Sequence, residues 1–144
     1  MTIRKALTRD AKKLAKLESE LFSYENFPLS ISSIYYHIRH SLFYVSEIKG
    51  DIVGYILVLT RRKSPKIHSL GVSAAFRKQG VSTALIQHVL MLLSKEGFKS
   101  LSLEVRTDNK NAIALYERMK FVEVSKISGF YRDKCDASVM MLKL

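Results

Sequence analysis

Between Leu70 and Leu85 an apolar, strand-like run (Leu70-Gly71-Val72) passes through a short loop carrying Arg77, Lys78, Gln79 and Gly80. An amphipathic helix then starts at once with Val81-Ser82-Thr83-Ala84-Leu85. Such a handover commits this part of the chain to a strand–loop–helix unit. Helix starts leave backbone N–H groups without partners and carry partial positive charge, so a loop of this shape suits an anion, above all a phosphate. Gly80 lets the backbone come close to a ligand, and Arg77 and Lys78 add charge beside it. An ordinary strand-to-helix turn with solvated cations carries the same signature, because an isolated glycine loop is weak evidence.

The rest of the chain alternates strands and helices without internal repeats or linkers. Ile3 to Ala6 reads as a short strand, and Thr8 as the N-cap of a helix whose apolar side carries Leu14, Leu17 and Leu21. Ser30 to His40 reads as a second helix, entered after Pro28. Leu42–Ile48 and Ile52–Thr60 are β-rich runs joined at the hairpin turn Lys49-Gly50-Asp51. After Gly80 a helix places Leu85, Val89, Leu92 and Leu93 on one side and ends at Gly97. Ser100 to Val105 alternates as a strand should, another helix runs from Asn109 or Asn111 to about Met119, and strands near Phe121–Ile127 and Ala137–Leu142 follow. The order is mixed α/β.

At 144 residues the chain is expected to form one domain over residues 1–144, large enough to bury a real core. No apolar run is long enough to span a bilayer, and the N-terminus lacks the features of a signal peptide. A single cysteine, Cys135, excludes an internal disulfide and fits a reducing, cytoplasmic setting. Lysine and arginine outnumber acidic residues 24 to 13, a formal charge of +11. That balance favours anionic partners, such as nucleotide-like cofactors, acidic proteins or nucleic acid, and disfavours a polycationic substrate. His37 and His40 lack companion ligands, so no metal site is expected, and His68 and His88 read as incidental.

Three side chains stand out as chemistry. Glu104 lies on the polar face of the 100–105 strand at its C-terminal end, where α/β proteins build sites. A carboxylate partly shielded from water can accept a proton near neutrality. A solvated glutamate paired with Arg106 or another cation is the competing reading. Asn109 and Tyr116 are seven positions apart, two helical turns, so both project from nearly the same face. A phenol can donate a proton, whereas Tyr116 alone would serve equally well as packing.

These motifs carry a family resemblance. Arg77-Lys78-Gln79-Gly80-Val81-Ser82 resembles the Arg/Gln-x-x-Gly-x-Gly/Ala loop of the GNAT acetyltransferase superfamily, with Ser82 in place of the usual glycine or alanine. The segment from Leu103 to Tyr116 is similar to the longer Leu-Glu-Val-Arg-x-x-Asn-x-x-Ala-x-x-Leu-Tyr signature of the bacterial ribosomal-protein alanine N-acetyltransferases. The tail Gly129-Phe130-Tyr131 through Asp136-Ala137 is also similar to that family, with Phe130 where its aromatic pair begins with tyrosine.

The resemblance implies a single-domain GNAT fold, a mixed, mostly antiparallel sheet of about seven strands flanked by about four helices. It implies acetyl-CoA as co-substrate, with the loop amides from Arg77 to Ser82 on the pyrophosphate, Leu70, Gly71 and Val72 on the pantetheine arm, and Asn109 also on the cofactor. A backbone N–H of the strand ending at Val72 would hold the oxyanion. Glu104 becomes the general base, Tyr116 the general acid and Tyr131 a substrate contact, and the acceptor a protein N-terminal α-amine, such as that of a ribosomal protein. A small-molecule amine would use the same cofactor site. A non-catalytic acyl-CoA binder and a basic nucleic-acid-binding module are the remaining alternatives. Lys120 stands where the family has glycine after the tyrosine helix, a place that asks for left-handed backbone.

Overall fold

Seven strands form one sheet in the order β1-β2-β3-β4-β5-β7-β6 in a computed structural model that describes residues 1–144. They are β1 (Thr2–Lys5), β2 (Leu42–Ile48), β3 (Asp51–Leu59), β4 (Lys66–Val72), β5 (Ser100–Arg106), β6 (Val122–Ile127) and β7 (Ala137–Lys143). Four helices flank them: α1 (Ala11–Leu21), α2 (Ile31–His40), α3 (Val81–Lys95) and α4 (Lys110–Arg118). All neighbours are antiparallel except β4 and β5.

Alternation along the central strands divides the core between the two faces of the sheet. Tyr55 and Leu57 of β3 pack with Leu14 and Leu17 of α1 and Ile34 of α2. Ile56 and Val58 face the other way, onto Leu85, Ile86, Val89 and Leu93 of α3. The stripe expected on α3 thus gains Ile86, while Leu92 is only partly buried. The hairpin at Lys49-Gly50 has both residues left-handed, φ 53° and 81°, the twist that a two-residue β-turn requires. Gly71 is demanded by packing: a Cβ there would lie 2.8 Å from Leu21 Cδ1 and from the Tyr55 ring.

Thr8 does not cap α1. It opens a 3-10 turn over Thr8–Asp10, and α1 starts at Ala11. The Asp10 carboxylate is the reason: it accepts the Leu7 N–H at 2.7 Å and two bonds from the Arg4 guanidinium, which ties this turn to β1.

Two features of the sheet matter later. The parallel ladder between β4 and β5 joins only Lys66 to Ser102 and Ile67 to Leu103, although both strands run on, to Val72 and Arg106. The sheet is therefore split along its middle. At its far edge β6 is exposed at all six positions, and its pairing with β7 is irregular between Glu123 and Ser125.

α4 ends in a Schellman arrangement. Phe121 N–H donates to the Tyr116 carbonyl at 2.9 Å and Lys120 N–H to that of Glu117 at 3.0 Å. Lys120 adopts φ 78°, the left-handed region that disfavours a side chain. Lys120→Gly is expected to raise stability by about 1 kcal/mol, seen in thermal melts as a Tm higher by about 2–4 °C.

Candidate active site

The split between β4 and β5 opens into two adjoining depressions that share β4 and α4 as walls. The first, a cavity of about 160 Å³, is lined by Leu70, Glu104, Arg106, Asn109, Tyr116 and Tyr131 together with Glu18, Phe22, Asn26, Phe27, His68 and Ser69. The second, a groove of about 430 Å³, is lined by Val72, Phe76, Arg77, Lys78, Gly80, Val81, Ser82 and Thr83 on one side. Asn111, Ala114, Leu115 and Arg118 of α4 form the other.

The groove has the features of an anion site. Gly80, at φ 80°, turns the chain into α3 without a side-chain cap on the helix. Ala84 N–H is the first in α3 to reach back, to the Gly80 carbonyl at 3.0 Å, so the amides of Val81, Ser82 and Thr83 precede the helical ladder. A Cβ on Gly80 would meet nothing within 4 Å, so open space stands over the turn. Arg77, Lys78 and Arg118 bring cations to both walls. The Ser82 side chain is part of the lining, and a hydroxyl there can donate to a phosphate oxygen. These residues fit a CoA diphosphate. The Gln79 side chain turns back to the Ala75 carbonyl at 3.4 Å, which leaves only its backbone amide for a ligand, and Gly71 packs against Leu21 and Tyr55.

Glu104 reaches the first cavity because strand alternation buries Leu101, Leu103 and Val105 on the opposite face. Its partner is not Arg106 but Lys66, whose Nζ lies 2.7 Å from Glu104 Oε1. Arg106 is occupied by Asp108 at 3.0 Å, Asp133 at 2.7 Å and the side-chain Oδ1 of Asn26 at 2.8 Å. Asn109 caps α4, its side-chain oxygen accepting the Ala112 N–H at 3.2 Å, which leaves its NH₂ free beside the cavity.

Tyr116 is buried with its ring edge-on to Phe121, and burial, followed by the neighbouring Tyr131, raises its phenol well above the ordinary tyrosine range. The group keeps its proton until something basic enough arrives to take it. Tyr131 is pushed up to about 12, by burial first and then by the negative field of Glu104. It stacks on Phe27 at 6.1 Å, and the Arg106 guanidinium lies 5.1 Å from its ring centre. Arg132 in turn sits over Tyr24 at 3.8 Å and donates to its carbonyl at 2.8 Å. The loop between α1 and α2 is thereby fastened to the loop between β6 and β7, and the two together roof the cavity.

Three residues at the site, two in the cavity wall and one paired with Glu104, escaped the sequence reading. His68 is part of the wall, not incidental. Lys66 could not be matched to Glu104 before the β4–β5 pairing was known. Glu18 had a visible signal: it interrupts the apolar helical stripe of Leu14, Leu17 and Leu21 with a charge. Almost fully buried, it accepts hydrogen bonds from the Tyr55 hydroxyl, from Ser69 Oγ at 2.9 Å and from the Leu29 N–H at 2.8 Å.

A sheet split between two parallel strands, with a cation-lined helix start at one end of the gap, makes a site for a long, anionic ligand. The chain belongs to the acetyltransferase (GNAT) family, whose model matches residues 11–121. It is 31% identical to an N-alpha-acetyltransferase of Sulfurisphaera tokodaii, over 99% of this chain and 92% of that one. It is also 31% identical to the N-alpha-acetyltransferase RimI of Mycobacterium tuberculosis, over 88% and 82% respectively. Among solved structures it superposes on the ribosomal-protein-S18-alanine N-acetyltransferase of Escherichia coli with a TM-score of 0.88 at 27% identity, covering 99% of this chain and 92% of that one. The protein is thus an N-acetyltransferase. No helix is long and apolar enough to cross a membrane.

Proposed function

We propose that this enzyme moves the acetyl group of acetyl-CoA onto the α-amine of a protein or peptide N-terminus, by direct attack and without a covalent enzyme intermediate. When bound, acetyl-CoA supplies a thioester carbonyl as the electrophile. The groove residues Arg77, Lys78, Gly80, Val81 and Ser82 bind its diphosphate, the exposed backbone of Leu70 and Val72 along the split receives its pantetheine arm, and the Asn109 amide orients it. Glu104 takes a proton from the acceptor ammonium, directly or through water. A backbone N–H near Val72 stabilises the developing oxyanion, and Tyr116 gives its proton to the departing sulfur. Tyr131, under the roof of the two loops, contacts the acceptor.

One observation carries this reading: Glu104 and Tyr116 line a single cavity, whose β4 and α4 walls continue into those of the cation-lined groove. The α-amine is favoured as acceptor by the N-alpha-acetyltransferase relatives. The Escherichia coli neighbour makes an alanine-initiated ribosomal protein the first candidate to test.

An array of peptides with free N-termini, incubated with radiolabelled acetyl-CoA beside a panel of small amines, tests the proposal. Label is expected on N-termini, alanine and serine foremost. Label confined to small amines overturns the acceptor class, and calorimetry showing no heat with any CoA thioester overturns the whole assignment.

A further inference from the structure

We propose that Lys66 is a positioning residue for acetyl transfer: its ammonium fixes the Glu104 carboxylate in the acceptor cavity and supplies the positive charge against which that carboxylate works. The inference rests on the reading of Glu104 as the base, and it assigns a role to a side chain outside every motif described above.

Lys66 pairs with Ser102 at one of the two rungs that still join β4 to β5, and Glu104 stands two residues on, one rung past the last of them. Beyond Ile67 and Leu103 no ladder bond sets where β5 lies relative to β4, so a side-chain contact does it. Lys66 Nζ and Glu104 Oε1 are 2.7 Å apart, and the two side chains are only 20% and 16% exposed. Enclosure of this degree makes the charge felt more strongly than in a surface pair.

No other cation competes for Glu104. Arg106, on the same strand, is held by Asp108 and Asp133. The titratable and charged groups around the cavity are His68 from β4, Tyr116 from α4, Tyr131 from the β6–β7 loop and Glu18 from α1. Glu18 is already engaged with Tyr55, Ser69 and Leu29. Lys66 engages Glu104 Oε1 and leaves Oε2 without a protein partner. An acceptor ammonium arriving at Glu104 meets a carboxylate held in one orientation, with that second oxygen left to receive its N–H. The proton passes to the carboxylate, and Lys66 is unchanged by the cycle.

The test is the split between kcat and KM, read by thiol release from acetyl-CoA with an alanine-initiated peptide. Without the ion pair the carboxylate loses its fixed place, so Lys66→Met is expected to lower kcat by about ten- to a hundredfold with KM for acetyl-CoA unchanged. Lys66→Gln, neutral but still hydrogen-bonding, falls between, and Lys66→Arg restores most of the rate. Circular dichroism establishes that each variant is folded. An equal loss in Lys66→Met and Lys66→Arg overturns the inference, as does an unchanged kcat. Glu104→Gln separates the two levels: if it turns over at the native rate, the assignment of the base fails, and this inference with it. If Lys66→Met costs the same factor in the Glu104→Gln background, Lys66 does not act through Glu104 and this inference alone fails.

Discussion

Glu104→Gln is expected to lower kcat by about 10²–10⁴-fold, the range that a positioned general base contributes. The amide keeps the size and the hydrogen-bonding reach of the side chain but cannot take up the proton that the acceptor ammonium must shed. Affinity for acetyl-CoA should be unchanged by calorimetry, because Glu104 lies outside the groove that carries Arg77, Lys78 and Ser82. The substitution leaves Lys66 without its carboxylate in a mostly enclosed place, so a modest loss of thermal stability should accompany the loss of rate. A variant that turns over at the native rate would remove Glu104 from the mechanism.

Tyr116→Phe should lower kcat by roughly ten- to a hundredfold, less than the loss of the base. A thiolate is a tolerable leaving group without help, since thiols ionise at a pH of about 8.5, so the acid smooths a step that can proceed slowly alone. The aromatic packing on Phe121 survives the change, and the fold should be retained. Because burial holds the phenol protonated well beyond the ordinary tyrosine range, the native pH profile should show no alkaline loss that Tyr116→Phe abolishes. The measurement is single-turnover acetyl transfer across the alkaline range, and undiminished transfer by the variant would show that the hydroxyl gives no proton to the sulfur.

Elements that depend on local patterning were legible in the sequence. The 100–106 strand declared both its faces through strict alternation, which put Glu104 on the accessible side. Seven-residue spacing placed Asn109 and Tyr116 at the two ends of one helix face, and the Lys49-Gly50 turn announced its hairpin. The left-handed cost at Lys120 came instead from the resemblance, because the family has glycine at that place.

What depends on long-range pairing was not legible. Nothing in the strand at 66–72 says that its ladder with β5 stops after two rungs, so neither the cavity nor the meeting of Lys66 with Glu104 could be foreseen. The capping of α1 went astray because Asp10 is drawn off by Arg4, a residue of the first strand. The packing of Gly71 against the Tyr55 ring, and the return of the Gln79 side chain to its own turn, are likewise tertiary facts that no local pattern announces.

The outermost strand has a bearing on how these molecules behave in company. With Val122 and Val124 more than half exposed, it offers the kind of open border onto which a stray chain could be stitched. The offset between Glu123 and Ser125 breaks the rhythm that a newcomer would need, and the charges of Glu123 and Lys126 set electrostatic and hydration costs against close approach. The irregular hem thus works against the edge-to-edge addition of further chains.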